Sequence, residues 1–108
     1  MLALNPPYAT GDIAIMLDDD GAVLHLAGEI DGGAVSQFER SAGSPLAPVV
    51  AVHGEDVTFM SSSGVGLLAR LTEEYRRAGG RPILRRPSRS MQLVLGITGV
   101  DQLFDVRS

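Results

Sequence analysis

The residues of this 108-residue chain with the most chemistry open to them stand in a row: Ser61, Ser62 and Ser63, followed by Gly64-Val65-Gly66. A hydroxyl can attack as a nucleophile, accept a phosphoryl group or cap a helix, and each use makes a different demand on its neighbours. A serine nucleophile needs an adjacent base and an acid that orients the base. The run lies between an apolar strand-like stretch and a helix-like stretch, the strand-turn-helix placement of the nucleophile elbow. That elbow requires glycine two residues before the serine, and for Ser62 that position is Met60. His25 and His53 both precede the serines, whereas the hydrolase order puts histidine last. Hydrolysis is therefore not expected, and no catalytic residue is assigned. Phosphate cradling is not expected either. Gly64-x-Gly66 is too short for a dinucleotide fingerprint, and a chain with no lysine has no Gly-Lys-Ser/Thr loop. Two separated histidines and no cysteine give no metal-ligand spacing, so neither a cofactor nor a metal is expected.

Capping suits the run well. A serine oxygen at a helix start accepts a hydrogen bond from a first-turn N–H that the helix leaves unpaired. The same N–H groups and the helix dipole also favour an anion. A phosphate placed there would bring about −1.5 to −2 charges to a small exposed surface. A partner matched to the neutral hydroxyl would then lose complementarity, with no refolding required. Capping accounts for the run as structure, and a phosphorylation switch accounts for it as function.

Elements on either side must position these serines. Asp12-Ile13-Ala14-Ile15-Met16-Leu17 reads as a strand, and Asp18-Asp19-Asp20-Gly21 as a turn. Ala22 to Gly28 reads as a second strand, apolar enough to be buried from both sides, so the pair forms an antiparallel hairpin. His25 inside it reads as a structural residue. Asp31 is placed to cap a helix from Gly32 to about Ala42 that buries Val35 and Phe38 and stops at Gly43-Ser44-Pro45. Val49-Val50-Ala51-Val52 suits a central parallel strand. After the serines, Val65, Leu68, Leu71 and Tyr75 recur at helical spacing until Gly79-Gly80. Arg81 to Arg85 is a short strand, with Pro82 at its start or on an edge. Pro87-Ser88 opens a third helix. The order β-β-α-β-α-β-α, closed by a short strand or helix, predicts an α/β fold with a mostly parallel four- to five-stranded sheet and an antiparallel N-terminal hairpin.

Length predicts one domain, with residues 1–11 as a loose lead-in and 12–108 as the domain. The net charge of −4 argues against non-specific nucleic-acid binding. Its distribution is uneven. Residues 1–60 hold nine acidic groups and only Arg40, while residues 61–108 hold eight arginines and four acidic groups. The lack of cysteine fits a reducing compartment. No run reaches membrane-spanning length, and Met1 to Pro7 lacks a signal-peptide pattern. A cytoplasmic location and no membrane partner are expected.

The stretch Asp56-Val57-Thr58-Phe59-Met60-Ser61-Ser62-Ser63-Gly64-Val65-Gly66 resembles the signature loop of STAS domains, in particular the anti-sigma factor antagonists, where it reads Val-Thr-Phe-Met-Asp-Ser-Ser-Gly-Leu-Gly. Gly28-Glu29-Ile30-Asp31 matches a second family motif, and Gly96 to Phe104 resembles the closing segment, so the likeness spans roughly residues 12 to 106. The resemblance implies a single STAS-type domain. It also implies an antagonist that binds an anti-sigma factor, itself a serine kinase, and so releases a sigma factor. The kinase, with its own ATP and magnesium, phosphorylates the antagonist, and a serine phosphatase reverses this. Aligned on Gly64, the phosphorylated residue is Ser62, with Ser61 and Ser63 as alternatives. The implied partner surface comprises Asp31, His53, Ser61, Ser62, Ser63, Gly64 and Val65, brought together because parallel strands deliver their C-terminal loops to one edge. The chain departs from the pattern at Ser61, where the family has Asp, and at His53, also usually Asp. The alternative is a STAS module that senses a small ligand or assembles a larger complex without phosphorylation. A monomer or weak homodimer is expected.

Overall fold

The computed structural model describes residues 11–42 and 47–108. The expected lead-in up to residue 10 and the expected helix stop at Gly43-Ser44-Pro45 lie outside the described residues. Strand β1 (Asp12–Asp18) pairs antiparallel with β2 (Gly21–Ile30), and the Asp18 carboxylate closes the turn by accepting the N–H groups of Asp20 at 2.9 Å and Gly21 at 3.2 Å. Helix α1 (Gly32–Ala42), strand β3 (Val49–Met60), helix α2 (Ser62–Arg77), strand β4 (Ile83–Arg85), helix α3 (Arg89–Thr98), a 3-10 turn (Val100–Leu103) and strand β5 (Asp105–Arg107) follow. The five strands lie side by side in chain order, and every pair after the hairpin is parallel.

That order places the helices. Crossovers between parallel strands are right-handed, and here each one advances the same way across the sheet, so all three helices belong on one face. The packing agrees. Val35 and Phe38 of α1, Val65, Leu67 and Leu68 of α2, and Met91 and Leu95 of α3 join Ala22, Leu24, Leu26 and Ile30 of β2 in one buried cluster. The other side of β2 alternates with these residues. Val23 is buried there, but His25 and Ala27 are half-buried and Glu29 is exposed. Beyond Val23, then, β2 is buried from one side rather than the two its composition suggested.

Strand β3 departs most from the sequence reading, because it continues past Val52 as far as Met60. Gly54-Glu55-Asp56 are poor strand formers. They are carried by pairing with β2, where residues 49 to 60 span the same length as residues 22 to 30, with register shifts at three places. Each shift absorbs an extra β3 residue as a bulge. One shift falls between Gly28 and Glu29, and Gly28 has φ +76°, a left-handed conformation that a side chain would strain. The glycine of Gly28-Glu29-Ile30-Asp31 thus has a backbone reason.

Candidate functional site

Strands β2 and β3 end level, with Ile30 beside Met60, and the chain leaves each one into a helix. The two helix starts are therefore neighbours. Asp31 Oδ1 accepts the Ala34 N–H at 2.9 Å, and the Asp31 carbonyl accepts that of Val35 at 3.0 Å, so Asp31 caps α1 as its type and position predict. Ser61 occupies the corresponding place before α2 but does not cap it with its side chain. Its N–H donates to the Ile30 carbonyl at 3.0 Å and its hydroxyl donates to the same oxygen at 3.3 Å. Ser61 therefore ties the start of α2 to the end of β2. The contrast is Ser88, whose oxygen accepts the Met91 N–H at 3.1 Å and caps α3.

Two consequences follow at α2. The N–H groups of Ser62, Ser63 and Gly64, which the helix cannot satisfy itself, receive no side-chain cap. No acidic residue stands at the cap or in the first turn of α2 to offset its dipole, whereas Asp31 does so for α1. Ser62 and Ser63 are exposed on this turn, while Ser61 is half-buried. Ser63 Oγ lies 3.5 Å from where a Cβ on Gly32 would be, which puts it against the first turn of α1. About two turns further on, the Arg70 guanidinium pairs with Glu39 at 3.0 Å and links α2 to α1.

Gly64 and Val65 face inward. A Cβ on Gly64 would stand 2.9 Å from side-chain carbons of both Ile30 and Met60, so only glycine lets α2 start this close to the strand ends. Val65 is buried in the core. Both were expected on the partner surface, but they are buried here, because the helical period turns residues 64 and 65 inward when 62 and 63 face out. His53 is also displaced. It was expected at the serine edge, but β3 continues beyond it, and in mid-strand it pairs with His25 on one side and Arg85 on the other. From His25 to Ile30 is five steps along β2, on the order of 17 Å. The two imidazoles make an edge contact, with ring centroids 5.4 Å apart. Burial, and then the positive charge of His53 and Arg85, holds His25 below the ordinary imidazole value of 6.5.

The sequence expectation thus holds for the placement of Asp31 and Ser61 to Ser63, which the fold brings to one edge. It missed the Ile30 carbonyl, on which both bonds from Ser61 converge, and Phe59, which is 49 % exposed one residue before the end of β3. Backbone acceptors leave no mark in residue types. Phe59 was legible in principle, since Phe59 and Met60 must point to opposite faces of one strand. Among the described residues no group of three or more His, Cys, Asp or Glu could hold a metal ion, and no helix is long and apolar enough to cross a membrane.

The STAS domain profile matches residues 13–108. The anti-sigma F factor antagonist of Lysinibacillus sphaericus is 32% identical over 89 residues, which cover 79% of this chain and 76% of that protein. Among solved structures, the anti-sigma factor antagonist SpoIIAA in its unphosphorylated form is 26% identical, with a TM-score of 0.69 over 90% of this chain and 89% of that one. The Bacillus cell fate determinant SpoIIAA in its phosphorylated form is 28% identical, with a TM-score of 0.60 over 90% and 92%. An anti-sigma factor antagonist from Mycobacterium paratuberculosis shares the fold at 23% identity, with a TM-score of 0.71 over 95% and 89%.

Proposed function

The chain belongs to the STAS domain family, and on that premise we propose that it is an anti-sigma factor antagonist. It works by binding, in the cytoplasm. Its partner is an anti-sigma factor with serine kinase activity, which it occupies so that a sigma factor is released. Phosphorylation at the start of α2 ends that binding, and a serine phosphatase restores it. ATP and magnesium belong to the kinase.

The observation that carries this reading is the exposure of Ser62 and Ser63 on an uncapped first turn, beside the start of α1. A phosphoryl group on Ser62 would meet unpaired N–H groups and the favourable dipole of α2, so the fold tolerates it. A partner docked against the same turn would meet nearly two negative charges and three extra oxygens. The surface we assign to the partner is Asp31, Gly32, Ser61, Ser62 and Ser63, without His53. The replacement of the family Asp by Ser61 supports a second reading, a STAS module working without phosphorylation, since no carboxylate adjoins Ser62 in sequence.

Incubation with the cognate anti-sigma kinase and ATP, followed by phosphosite mapping, separates the two. Phosphate on Ser62, abolished in Ser62→Ala, is the expected result. Phosphate only on Ser61 or Ser63 moves the switch by one residue. None at all, with binding retained, favours the second reading.

A further inference from the structure

The helix-free face of the sheet takes no part in the switch, and its side chains are ordered in rows. Strand register puts Ala14, His25, His53, Arg85 and Arg107 in one line across all five strands. Two residues towards the serine edge, Asp12, Ala27 and Asp56 form the next line, and beyond it Glu29 stands beside Phe59. On the other side, Met16, Val23, Ala51 and Ile83 form an apolar line ending at Asp105. Along the strands the face therefore reads apolar, basic, acidic, then mixed. Met16 is 58% exposed and Phe59 49%, while Val23 and Ala51 are buried. Arg107 is paired with Asp105 at 2.8 Å, whereas Arg85 has no ion pair among the described residues.

We infer that this face is a self-association surface whose partner is a second copy of the chain, packed face to face. The charge order selects the arrangement. A two-fold axis running along the strands would lay the His25–His53–Arg85 line on its own copy and set like charges together. An axis running across the strands, between the basic and acidic lines, exchanges the two. His53 and Arg85 then meet Asp56 of the second copy, and Asp56 meets the second copy's His53 and Arg85. The same operation brings Phe59 to the end of the face where Met16 and Ile83 keep some exposure. The contact is isologous, as a two-fold requires, and each charge contact is made twice.

The area bounds the strength. Strands about 4.8 Å apart and lines about 6.6 Å apart give on the order of 400 Å² per copy, half of the roughly 800 Å² per partner in a standard interface. Association is therefore weak, and charge complementarity sets its specificity more than its strength. It needs none of the proposed switch residues.

Sedimentation equilibrium at low salt, over a concentration series reaching millimolar, tests this. The average mass is expected to climb towards twice the chain mass. Asp56→Arg and Arg85→Glu are each expected to weaken self-association at least tenfold, because each sets like charges against the second copy. An equimolar mixture of the two is expected to recover association, since the new Arg then meets the new Glu. Unchanged melting curves show that both variants are folded. A wild type that stays monomeric throughout overturns the inference, as does a mixture of folded variants no more associated than either alone.

Discussion

At the residue scale, one serine serves the fold so that two others can face solvent. Ser61 gives both its N–H and its hydroxyl to the Ile30 carbonyl and leaves the first turn of α2 open at Ser62 and Ser63. An aspartate side chain at position 61 cannot donate to that carbonyl, though its backbone N–H still does, so Ser61→Asp must turn its carboxylate to the first-turn N–H groups instead. The loss of one bond and gain of an acidic cap should offset each other to within about 1 kcal/mol in chemical denaturation. The same variant restores the family carboxylate next to Ser62 and should speed phosphorylation by the cognate kinase. An unchanged rate would show that this carboxylate recruits nothing here. Gly64 is constrained by contact. Gly64→Ala gains helix propensity worth about 1 kcal/mol, but sets a methyl group 2.9 Å from carbons of Ile30 and Met60, and overpacking costs roughly 1–3 kcal/mol. A net destabilisation on the order of 1 kcal/mol is expected, read as a lower denaturation midpoint at unchanged slope.

At the element scale, β3 sets the geography of the molecule. Its bulges against β2 let twelve residues share the length of nine, so His53 falls in mid-sheet and Ser61 reaches the edge. The bulge at Gly28 depends on φ +76°. Gly28→Ala should destabilise the fold by about 1–2 kcal/mol and disturb the Ile30–Met60 pairing on which the serine turn rests. The histidine pair makes the sheet sensitive to acid. With its pKa held below 6.5 by burial and by His53 and Arg85, His25 binds fewer protons folded than unfolded as pH falls through that range. Stability from this group is thus complete above pH 6.5 and is lost on acidification, even though Asp12 and Asp56 lie two residues along the same face. Melting temperatures of wild type and His25→Gln should diverge least near pH 5 and most near pH 7.5 relative to their own acid values, with the variant showing the shallower slope. Equal slopes would remove His25 from the acid response.

At the scale of the whole molecule, the two faces and the one edge have separate tasks. One face buries the core under three helices, the other presents rows of charge, and the edge between the starts of α1 and α2 carries the proposed switch. If that edge meets the anti-sigma factor, Ser62→Asp should weaken the complex without unfolding the protein. The effect should be smaller than that of the phosphate itself, since the side chain supplies about one charge rather than nearly two. Calorimetric titration against the partner, with melting curves in parallel and Ser62→Ala as the neutral control, reads both. Equal affinities at equal stability would take Ser62 out of the interface.

Residue order by itself determined most of the elements, their sequence, and the identity of the hydroxyl run. Hydrophobic period, Asp31 before a helix and Ser88 before another are local signals, set within a few residues of where they act. The sequence also carried the family, through Gly28-Glu29-Ile30-Asp31 and the loop around Ser62. The tertiary structure decided what depended on pairing across the sheet. Register with β2 carried β3 through Gly54-Glu55-Asp56 and so moved His53 away from the serines. The nearby Ile30 carbonyl turned Ser61 from a cap into a tether, and close approach to Ile30 and Met60 faced Gly64 inward. These outcomes rest on contacts between residues 22 to 30 and 49 to 64. No periodicity within either segment contains their relative register, because register is fixed only when the two strands bury a common face.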